Sequence, residues 1–395
     1  MLIISIISIV FIIETLLKLI EINYIKNKAK QGFLSDDEFT EFKNIAITEH
    51  KFSILNSFLS LILNCAFILV LFSILKVYFE PSSLLDNTAL ILAYFIINIF
   101  IMTFLNYYKT MVVDTKHGFN KKTPKMFFID LLKSLILLIV IGGILIYIML
   151  FAIVKLGEFW WLGGFVILFT FSIIAMIVYP NFIVPIFNKL TPIDGELKEK
   201  ISELLNKCGF KSNGVFSMDA SKNDTRLNAY FAGMFGTKKV VLYDTLIKAM
   251  SENELLAVLG HELGHFKNKD IVKMLFLNAV SLFIIFAIFG TFSSFFANEL
   301  NLDGYPASML FSFMFVSGAI SFALNPIINY FSRVNEFGAD KMGEALVDKN
   351  SMINSLKVLA IKNKALLDHH FLYEIFYSSH PSLSKRINAL NGSNI

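Results

Sequence analysis

The pentapeptide His261-Glu262-Leu263-Gly264-His265 combines two imidazoles and one carboxylate at a spacing that suits metal-assisted hydrolysis. On an α-helix of ~3.6 residues per turn, His261 and His265 share a face and can bind one Zn²⁺ ion. Glu262 lies about 100° around the same helix, from where its carboxylate can reach a metal-bound water. Zinc held by two neutral imidazoles and a carboxylate lowers the pKa of that water towards ~7, so the pattern predicts a water nucleophile with Glu262 as general base.

The residues before the pentapeptide predict that it lies on a helix. Ser251 and Glu254 match a capping box, in which each side chain binds a backbone N–H at the start of a helix. An apolar run follows, consisting of Leu255, Leu256, Val258 and Leu259. Because three fixed positions in five residues also arise by chance, the pattern needs a third metal ligand before it indicates catalysis.

The composition indicates a polytopic membrane protein. Of 395 residues, 55% are hydrophobic and 17% are charged, and the mean hydropathy is +0.64. Runs able to cross ~30 Å of hydrocarbon are predicted at seven places: residues 2–20, 52–77, 88–107, 131–154, 159–179, 271–296 and 307–330. The first run is interpreted as a retained helix rather than a signal peptide, because Glu14 and Lys18 interrupt it and no small-residue cleavage site follows.

Loop charge predicts how these spans are oriented. The loops after the first and third spans carry five lysines each, whereas the loops after the second and sixth carry neither Lys nor Arg. By the positive-inside rule, the N-terminus lies outside, and residues 180–270 and the C-terminal tail are cytoplasmic. His265 comes just before the sixth span, so the metal site is predicted at the cytoplasmic face of the membrane or slightly within it.

A third ligand is predicted where the chain returns from the membrane. The sixth and seventh spans form an antiparallel hairpin, and Glu336 is the first acid after it. Glu336 can complete a His₂Glu zinc site, while Asp340, one helical turn later, can accept the outer N–H of a ligand histidine. An ordinary charged helix is the alternative. Asp303 is rejected as a ligand, because its outer loop lies a full membrane thickness from His265.

The cysteine content and the net charge limit the possible metal ligands and binding partners. Cys65 and Cys208 provide neither a disulfide framework nor a Cys-x-x-Cys metal pair, so zinc must be held by histidine and carboxylate. The net charge is +4, and the lysines lie beside membrane spans, which favours contact with a lipid surface over nucleic-acid binding. No role is assigned to His50, His369 and His370.

Several segments, in order along nearly the whole chain, resemble the type-I CAAX prenyl endopeptidases, a family of integral-membrane zinc proteases. These segments are His261–His265, Glu336–Asp340, His117–Lys121, Asn188–Pro192, Asn228–Phe231, Tyr243–Leu246, and His380-Pro381 with Arg386. Together they are more specific than H-E-x-x-H alone. The resemblance implies a zinc metalloendopeptidase with one Zn²⁺ per chain.

The resemblance also implies an all-α polytopic fold. Seven transmembrane helices would form a barrel around a water-filled chamber, capped by a cytoplasmic catalytic domain with a small β-hairpin or sheet. The expected division is residues 1–179 for spans one to five, 180–270 for the first catalytic segment, 271–330 for spans six and seven, and 331–395 for the C-terminal catalytic segment. Polar residues in the spans either line the chamber or join helices: Asn64, Asn98, Asn278, Asn325 and Asn329.

Substrate binding by strand addition is a further implication of the resemblance. Asn228 and Ala229 are expected to begin an edge strand whose backbone pairs with the substrate backbone. Val240–Tyr243 is its expected hairpin partner, across a turn that contains Gly236. Side-chain pockets would then tune the preference for particular peptides.

Two residues near the C-terminus are expected, again from the resemblance, to take part in catalysis. His380 and Arg386 would stabilise the oxyanion of the tetrahedral intermediate. His117 matches the family as well, but no catalytic role is evident for it, and it is interpreted as structural.

The predicted function is hydrolysis of peptide bonds in membrane-associated or prenylated, CAAX-type substrates. The Phe-, Ile-, Asn- and Lys-rich composition indicates a bacterial chain, placed in the inner membrane with its active site on the cytoplasmic side, where protein prenylation is not expected. A broad quality-control protease without a CAAX role would use the same chemistry. A zinc transporter is disfavoured, because transporter sites lie near the bilayer midplane and Glu262 would have no purpose there.

Overall fold

Long helices make up the first half of the molecule. The computed structural model describes residues 1–30, 32–210, 212–232 and 239–392. The first eight helices are α1 Leu2–Asn27, α2 Asp36–Ala66, α3 Phe72–Leu75, α4 Leu84–Tyr108, α5 Pro124–Leu137, α6 Gly143–Leu156, α7 Trp160–Val178 and α8 Val184–Phe187. Short π-helical turns make continuous rods of α2 with α3, α5 with α6, and α7 with α8.

The second half combines short strands with further helices. The strands are β1 Leu190–Pro192, β2 Val215–Met218, β3 Ala229–Ala232 and β4 Lys239–Tyr243. The helices are α9 Glu196–Lys207, α10 Asp244–Ala249, α11 Glu252–Lys267, α12 Asp270–Ala297, α13 Pro306–Leu346, α14 Lys349–Lys362, α15 Phe371–Tyr377 and α16 Leu383–Leu390. Helix α13 runs without a break across the expected division at residue 330.

Within the described residues, six helical segments are long and apolar enough to cross a membrane. The longest, Pro124–Phe187, has 64 residues. As one straight helix it would be ~96 Å long, about three times the thickness of the hydrocarbon core. Instead the chain turns back at Gly157, where φ is +53°, and α6 packs against α7. The six segments therefore fall one short of the seven predicted spans, and the two limbs of this segment are the place where a seventh would arise.

A four-stranded mixed sheet lies beside α11, in the order β1-β2-β4-β3. Strand β3 is antiparallel to β4, with Ala229 opposite Leu242, and it forms one edge of the sheet. The predicted hairpin and edge strand are therefore present, while the turn containing Gly236 lies outside the described residues. Strands β1 and β2 were not predicted, because runs of three and four residues carry too little alternation to be read.

Helix α11 packs on the sheet through one apolar stripe. Leu255, Leu259 and Leu263 recur every four residues and are buried against β4 and α9. At the start of the helix, the Ser251 side chain and the Glu254 carboxylate form the predicted capping box. The pentapeptide therefore lies on a helix that is fixed at its first turn and along one face.

On another face, α11 lies unusually close to α13. A Cβ added at Gly264 would be 2.7 Å from Ala339 Cα and 2.9 Å from Met342 Cβ, and one added at Gly260 would be 3.1 Å from Gly343 Cα. Real Cβ atoms essentially never make the contacts found at Gly264, and the contact at Gly260 is tighter than most. The two glycines therefore let the helix backbones touch, and this contact sets how near residues of α13 come to the pentapeptide.

The lysine-rich loops meet at the end of the molecule that holds α11. Lys364, which follows α14, binds Glu41 Oε1 at 2.6 Å and the carbonyl of His117 at 2.9 Å. Lys28, which follows α1, binds Asp368 at 2.7 Å. His117 thus has a backbone role in holding loops together, in line with its structural interpretation.

At the opposite end of the molecule, contacts around the turn that precedes α13 include an ion pair between the Met1 ammonium group and Glu299 at 2.6 Å and a hydrogen bond from Lys76 Nζ to the carbonyl of Asn301 at 2.7 Å. The Tyr305 hydroxyl donates to the carbonyls of Lys76 and Phe79, both at 2.8 Å. Asp303 lies in this turn, with Gly304 at φ +80°. The lysine-rich loops and the turn with Asp303 therefore lie at different ends of the molecule, and Asp303 is remote from the pentapeptide.

Polar side chains in the spans serve both of the purposes left open by the sequence. The hydroxyl of Tyr94 donates to Asn64 Oδ1 at 2.9 Å, which joins two helices. Asn98 lines a cavity of about 520 Å³ between α2, α4 and α5, together with other polar side chains, Asn56, Ser60, Asn106 and Ser134. Polar side chains of the spans thus line a cavity between three of the helices.

The contact between α11 and α13 leads to a prediction for Gly264→Ala. The added methyl group overpacks a backbone contact, at a cost of about 1–3 kcal/mol, and it pushes α13 away from the pentapeptide. We expect a lower midpoint of thermal unfolding and a lower metal content in purified protein. Gly318→Ala on α13 is the control, because a Cβ there meets no atom within 4 Å. Equal midpoints and equal metal content for the two variants would contradict this account.

Candidate metal centre

Three predicted ligands converge between α11 and α13. One ligand atom from each of His261, His265 and Glu336 lies within 4.8 Å of the others. The Nε2 atom of His261 is 3.5 Å from Glu336 Oε2, and that of His265 is 3.4 Å from Glu336 Oε1. The two imidazole rings are nearly perpendicular, with centroids 4.8 Å apart. The geometry therefore gathers two nitrogens and a carboxylate around one point.

The environment of Glu336 fits a cation at this point. Its side chain is 6% exposed, and Oε2 has no hydrogen-bond partner among the described residues. A buried carboxylate oxygen without a partner is costly, and a bound cation would remove that cost. Two imidazole nitrogens and one carboxylate oxygen are a donor set that zinc prefers, with a fourth position left open.

Each histidine is oriented by a buried carboxylate on its other nitrogen. His261 Nδ1 is 2.8 Å from Asp340 Oδ1, and His265 Nδ1 is 3.0 Å from Asp270 Oδ2. When Nδ1–H donates to the carboxylate, Nε2 keeps a lone pair that points towards Glu336. The predicted contact of Asp340 with a ligand histidine is present in the structure.

Asp270 was not identified from the sequence as a partner of the ligand His265. It is 4% exposed, and Lys273 Nζ binds its other oxygen at 2.9 Å. The residue begins α12, after a left-handed turn at Lys269. The available signal was an acid five residues after His265, but only the turn between the helices shows that this spacing brings the carboxylate back to the imidazole.

The carboxylates also control protonation of the metal-free centre. Burial opposes the charged form of His265, but Glu336 and Asp270 outweigh it and raise its pKa to about 9. The imidazole therefore keeps its proton at neutral pH until a metal ion displaces it. Metal affinity is expected to fall as the pH falls below about 9, because metal and proton compete for this nitrogen.

Glu262 lies in a largely apolar cavity of about 370 Å³ beside the ligands. His265, Phe231 of β3 and Asn278 of α12 also line this cavity. Burial raises the pKa of Glu262, although the neighbouring imidazoles act in the opposite direction. A carboxylate whose pKa is raised towards neutrality can both accept and donate a proton during one reaction cycle.

His380 and Arg386 approach the centre from the C-terminal segment. His380 Nε2 is 3.3 Å from Glu336 Oε1, and its side chain is 62% exposed. Its Nδ1 is 2.9 Å from the hydroxyl of Ser379. Arg386 donates hydrogen bonds to Asp340 from Nε and Nη2, at 2.8 and 2.6 Å. Its Nη1 atom lies 3.5 Å from Glu336 Oε2. His380 is therefore accessible, whereas Arg386 is mainly engaged with Asp340.

Two side chains of α13 hold the segment that carries His380. Arg333 Nη1 donates to the carbonyls of Glu374 and Ser378, both at 2.8 Å, and Asn329 donates to the carbonyl of Phe376 at 2.8 Å. The carbonyls of Phe376 and Ser378 lie at or after the end of α15, where helical carbonyls lack intrahelical partners, whereas that of Glu374 also accepts from the N–H of Ser378 at 3.1 Å. The same helix that carries Glu336 thus fixes the approach of His380.

Strand β3 presents its two faces to different cavities. Phe231 faces the cavity with Glu262, whereas Asn228 and Tyr230 line a second cavity of about 490 Å³. The Asn228 carbonyl accepts from Tyr243 N–H at 3.1 Å, and Ala229 N–H bonds to Asn228 Oδ1 at 2.8 Å. The structure thus places the backbone of β3 beside the metal centre and the Asn228 side chain away from it.

A buried contact between α1 and the C-terminal segment was also missed. Glu21 is fully buried, and it accepts from the backbone N–H of His370 at 2.8 Å, with His369 Nδ1 at 2.9 Å. The signal was an acid directly after the apolar run 2–20, where a charged side chain beside the membrane favours a partner. The contact anchors α15 to the first span, so His369 and His370 have a structural role that the sequence analysis did not assign.

The contact of Asp270 with His265 predicts a specific defect for Asp270→Asn. Loss of an outer carboxylate partner lowers metal affinity by roughly 10–100-fold, and we expect this loss in a competition titration with a chromophoric zinc chelator. Asp303→Asn, at the opposite end of the molecule, is the control and is expected to leave affinity unchanged. If Asp270→Asn binds zinc as tightly as the wild type, the carboxylate does not orient the ligand.

Comparison with known proteins agrees with this geometry. Residues 193–394 match the family model for peptidase family M48, and residues 22–189 match the model for the CAAX prenyl protease N-terminal region with five membrane helices. CAAX prenyl protease 1 of Saccharomyces cerevisiae is 35% identical over 310 residues, which cover 73% of this chain and 68% of the relative. Its homolog in Arabidopsis thaliana is 27% identical over 97% of this chain and 95% of the relative.

A solved structure extends the likeness to the whole fold. The crystal structure of S. mikatae Ste24p superimposes with a TM-score of 0.90 at 28% identity, covering 98% of each chain. The predicted family and fold class are thereby confirmed. The chain belongs to peptidase family M48 and is an integral, multi-pass membrane metalloendopeptidase.

Proposed function

We propose that this protein binds one zinc ion through His261, His265 and Glu336 and hydrolyses peptide bonds of membrane-associated proteins, including prenylated CAAX-type substrates. The observation that carries the proposal is the convergence of these three ligand atoms within 4.8 Å, beside a buried glutamate and an edge strand. A metal centre, an acid–base group and a peptide-binding edge are the components that peptide hydrolysis requires.

Glu262 is the proposed acid–base residue. Zinc bound by the three ligands would supply Lewis acidity to a water molecule and to the scissile carbonyl. Glu262 takes the proton from the attacking water and passes it to the leaving amine. The cavity around Glu262 is mostly apolar, and burial raises the pKa of its carboxyl group.

We propose that His380 stabilises the oxyanion by a direct hydrogen bond. Arg386 is proposed to contribute less directly, because most of its nitrogens bind Asp340. When the Ser379 hydroxyl donates to His380 Nδ1, Nε2 carries the ring proton and can donate to the developing oxyanion. Arg386 Nη1 faces Glu336, but its other nitrogens bind Asp340. Its proposed contribution therefore combines positive charge with positioning of Asp340 and His261.

The edge strand β3 is proposed to hold the substrate. A peptide added beside Ala229–Ala232 would bind through main-chain hydrogen bonds. Phe231 lines the same cavity as Glu262 and His265, so a paired peptide would pass close to the metal centre. Asn228 supports this strand from its other face rather than from the cavity with Glu262.

Two substrate classes fit this arrangement. The relatives from yeast and Arabidopsis are named for CAAX prenyl protease activity, which supports prenylated C-termini as substrates. Main-chain recognition by β3 accepts many sequences, which supports broad quality-control cleavage of membrane proteins as a second candidate. The proposed location is a bacterial inner membrane with the metal centre on the cytoplasmic side, at the lysine-rich end of the molecule.

The central test of the proposal is Glu262→Gln. The amide keeps the size of the side chain but cannot take a proton, so we expect unchanged zinc content and folding, with cleavage of a farnesylated CAAX peptide reduced by at least about 10²–10⁴-fold. Glu252→Gln, on an exposed part of α11, is the control and is expected to retain activity.

A membrane proteome treated with wild-type protein or Glu262→Gln separates the two substrate classes. New peptide termini that depend on Glu262 but spread over many membrane proteins would support quality control. Termini confined to prenylated proteins would support the CAAX role. More than a few per cent of peptidase activity in Glu262→Gln would overturn the assigned mechanism.

A further inference from the structure

A further cavity, distinct from those lined by Glu262 and by Asn228, lies beside His380. Its volume is about 470 Å³, and its wall is formed by α14, the segment between α14 and α15, and the start of α16. Leu356, Leu359 and Leu366 give it an apolar floor. The described residues that line it include Arg386 and two histidines but no aspartate or glutamate. The cavity therefore suits an apolar group that ends in a negative charge.

Ser382 contributes to the wall of this cavity a hydroxyl that is unpartnered in the described chain. The residue is 5% exposed, and its hydroxyl has no partner among the described residues. It precedes the first turn of α16 without capping it. Of the first three amides of that helix, only the N–H of Ser384 meets a partner in the described chain, the Leu367 carbonyl at 3.2 Å. A buried hydroxyl and free amides at a helix start favour an anion.

The position of the cavity relates it to the proposed substrate path. Asn363, in the cavity wall, binds the N–H and the carbonyl of Leu227, at 2.7 and 3.2 Å. Leu227 lies just before β3, while Phe231, near the other end of that strand, lines the cavity that holds Glu262. A peptide paired with β3 would therefore run between the two cavities, past the metal centre.

The distances suit a short C-terminal segment. Ser382 follows His380 by two residues, so their Cα atoms are within about 7 Å. Three extended residues span about 10 Å. A peptide cut beside His380 with three residues left on this side could place its terminal carboxylate at the start of α16.

We propose that this cavity, here called the Ser382 cavity, binds the free α-carboxylate at the C-terminus of the substrate. The Ser382 hydroxyl and the N–H groups of Leu383 and Lys385, which are free within the described chain, donate to the carboxylate oxygens, while Arg386, whose charge is paired with Asp340, lines the same cavity. The inference rests on the proposed peptidase function and deepens it, because it explains how cleavage would be confined to a fixed distance from a free chain end.

Binding to Glu262→Gln tests the proposal without turnover. The probes are two farnesyl-cysteine tetrapeptides of the sequence Cys-Val-Leu-Ala, one ending in a carboxylate and the other in a carboxamide. We expect the carboxylate to bind at least about tenfold more tightly, since hydrogen bonds to a charged group are the stronger ones. Adding Ser382→Ala should reduce this preference to less than about threefold, and adding Ser382→Asp should abolish it.

Matched variants exclude a general loss of structure. Ser384→Ala, whose hydroxyl donates to the Leu367 carbonyl at 3.1 Å outside the cavity wall, is expected to keep the tenfold preference. Ser382→Thr keeps a hydroxyl and is expected to retain most of it. Zinc content and thermal midpoint are measured for each variant, so that the ratio is compared only between folded proteins.

The outcomes separate this inference from the proposed function. Equal affinity for carboxylate and carboxamide in Glu262→Gln, or a preference that survives Ser382→Ala, overturns the carboxylate site even if the wild type cleaves both peptides. Failure of the wild type to cleave either peptide overturns the CAAX function, while the binding ratio still decides the role of the Ser382 cavity.

Discussion

The structure depends on one buried carboxylate, that of Glu336. It lies within 3.5 Å of two histidine nitrogens and of donors from His380 and Arg386, and one of its oxygens lacks a hydrogen bond within the described chain. An unpaired buried carboxylate is unfavourable. The surrounding cationic and metal-binding groups are therefore a requirement of its burial, and elements from three separate parts of the chain must meet to satisfy it.

Close helix packing makes that meeting possible. Gly260 and Gly264 remove the side chains that would separate α11 from α13, and the leucine stripe fixes α11 against the sheet on another face. The glycine inside H-E-L-G-H therefore has a packing role that is distinct from the chemistry of its neighbours. Metal binding and helix packing reinforce each other, because each requires the same separation of the two backbones.

The features that could be predicted from the sequence are those marked by a regular repeat or by a short, fixed spacing along the chain. The spans, the capping box, Glu336 and Asp340 follow from hydropathy, helical periodicity and loop charge. Asp270 and Arg333 could not be found in this way, because their contacts depend on a left-handed turn at Lys269 and on the path of α15. The small strands β1 and β2 and the Glu21 contact depend on long-range packing, which no local pattern specifies.

The membrane hairpin contributes directly to the metal centre. Helix α12 begins with Asp270, which orients His265, and α13 carries both Glu336 and Asp340. The chain between them crosses the membrane twice. The ligands of α11 can therefore reach their working geometry only when the hairpin is inserted and packed. The hairpin therefore supplies three of the carboxylates that surround the histidines of α11, so that its packing against α11 and the assembly of the metal centre are coupled.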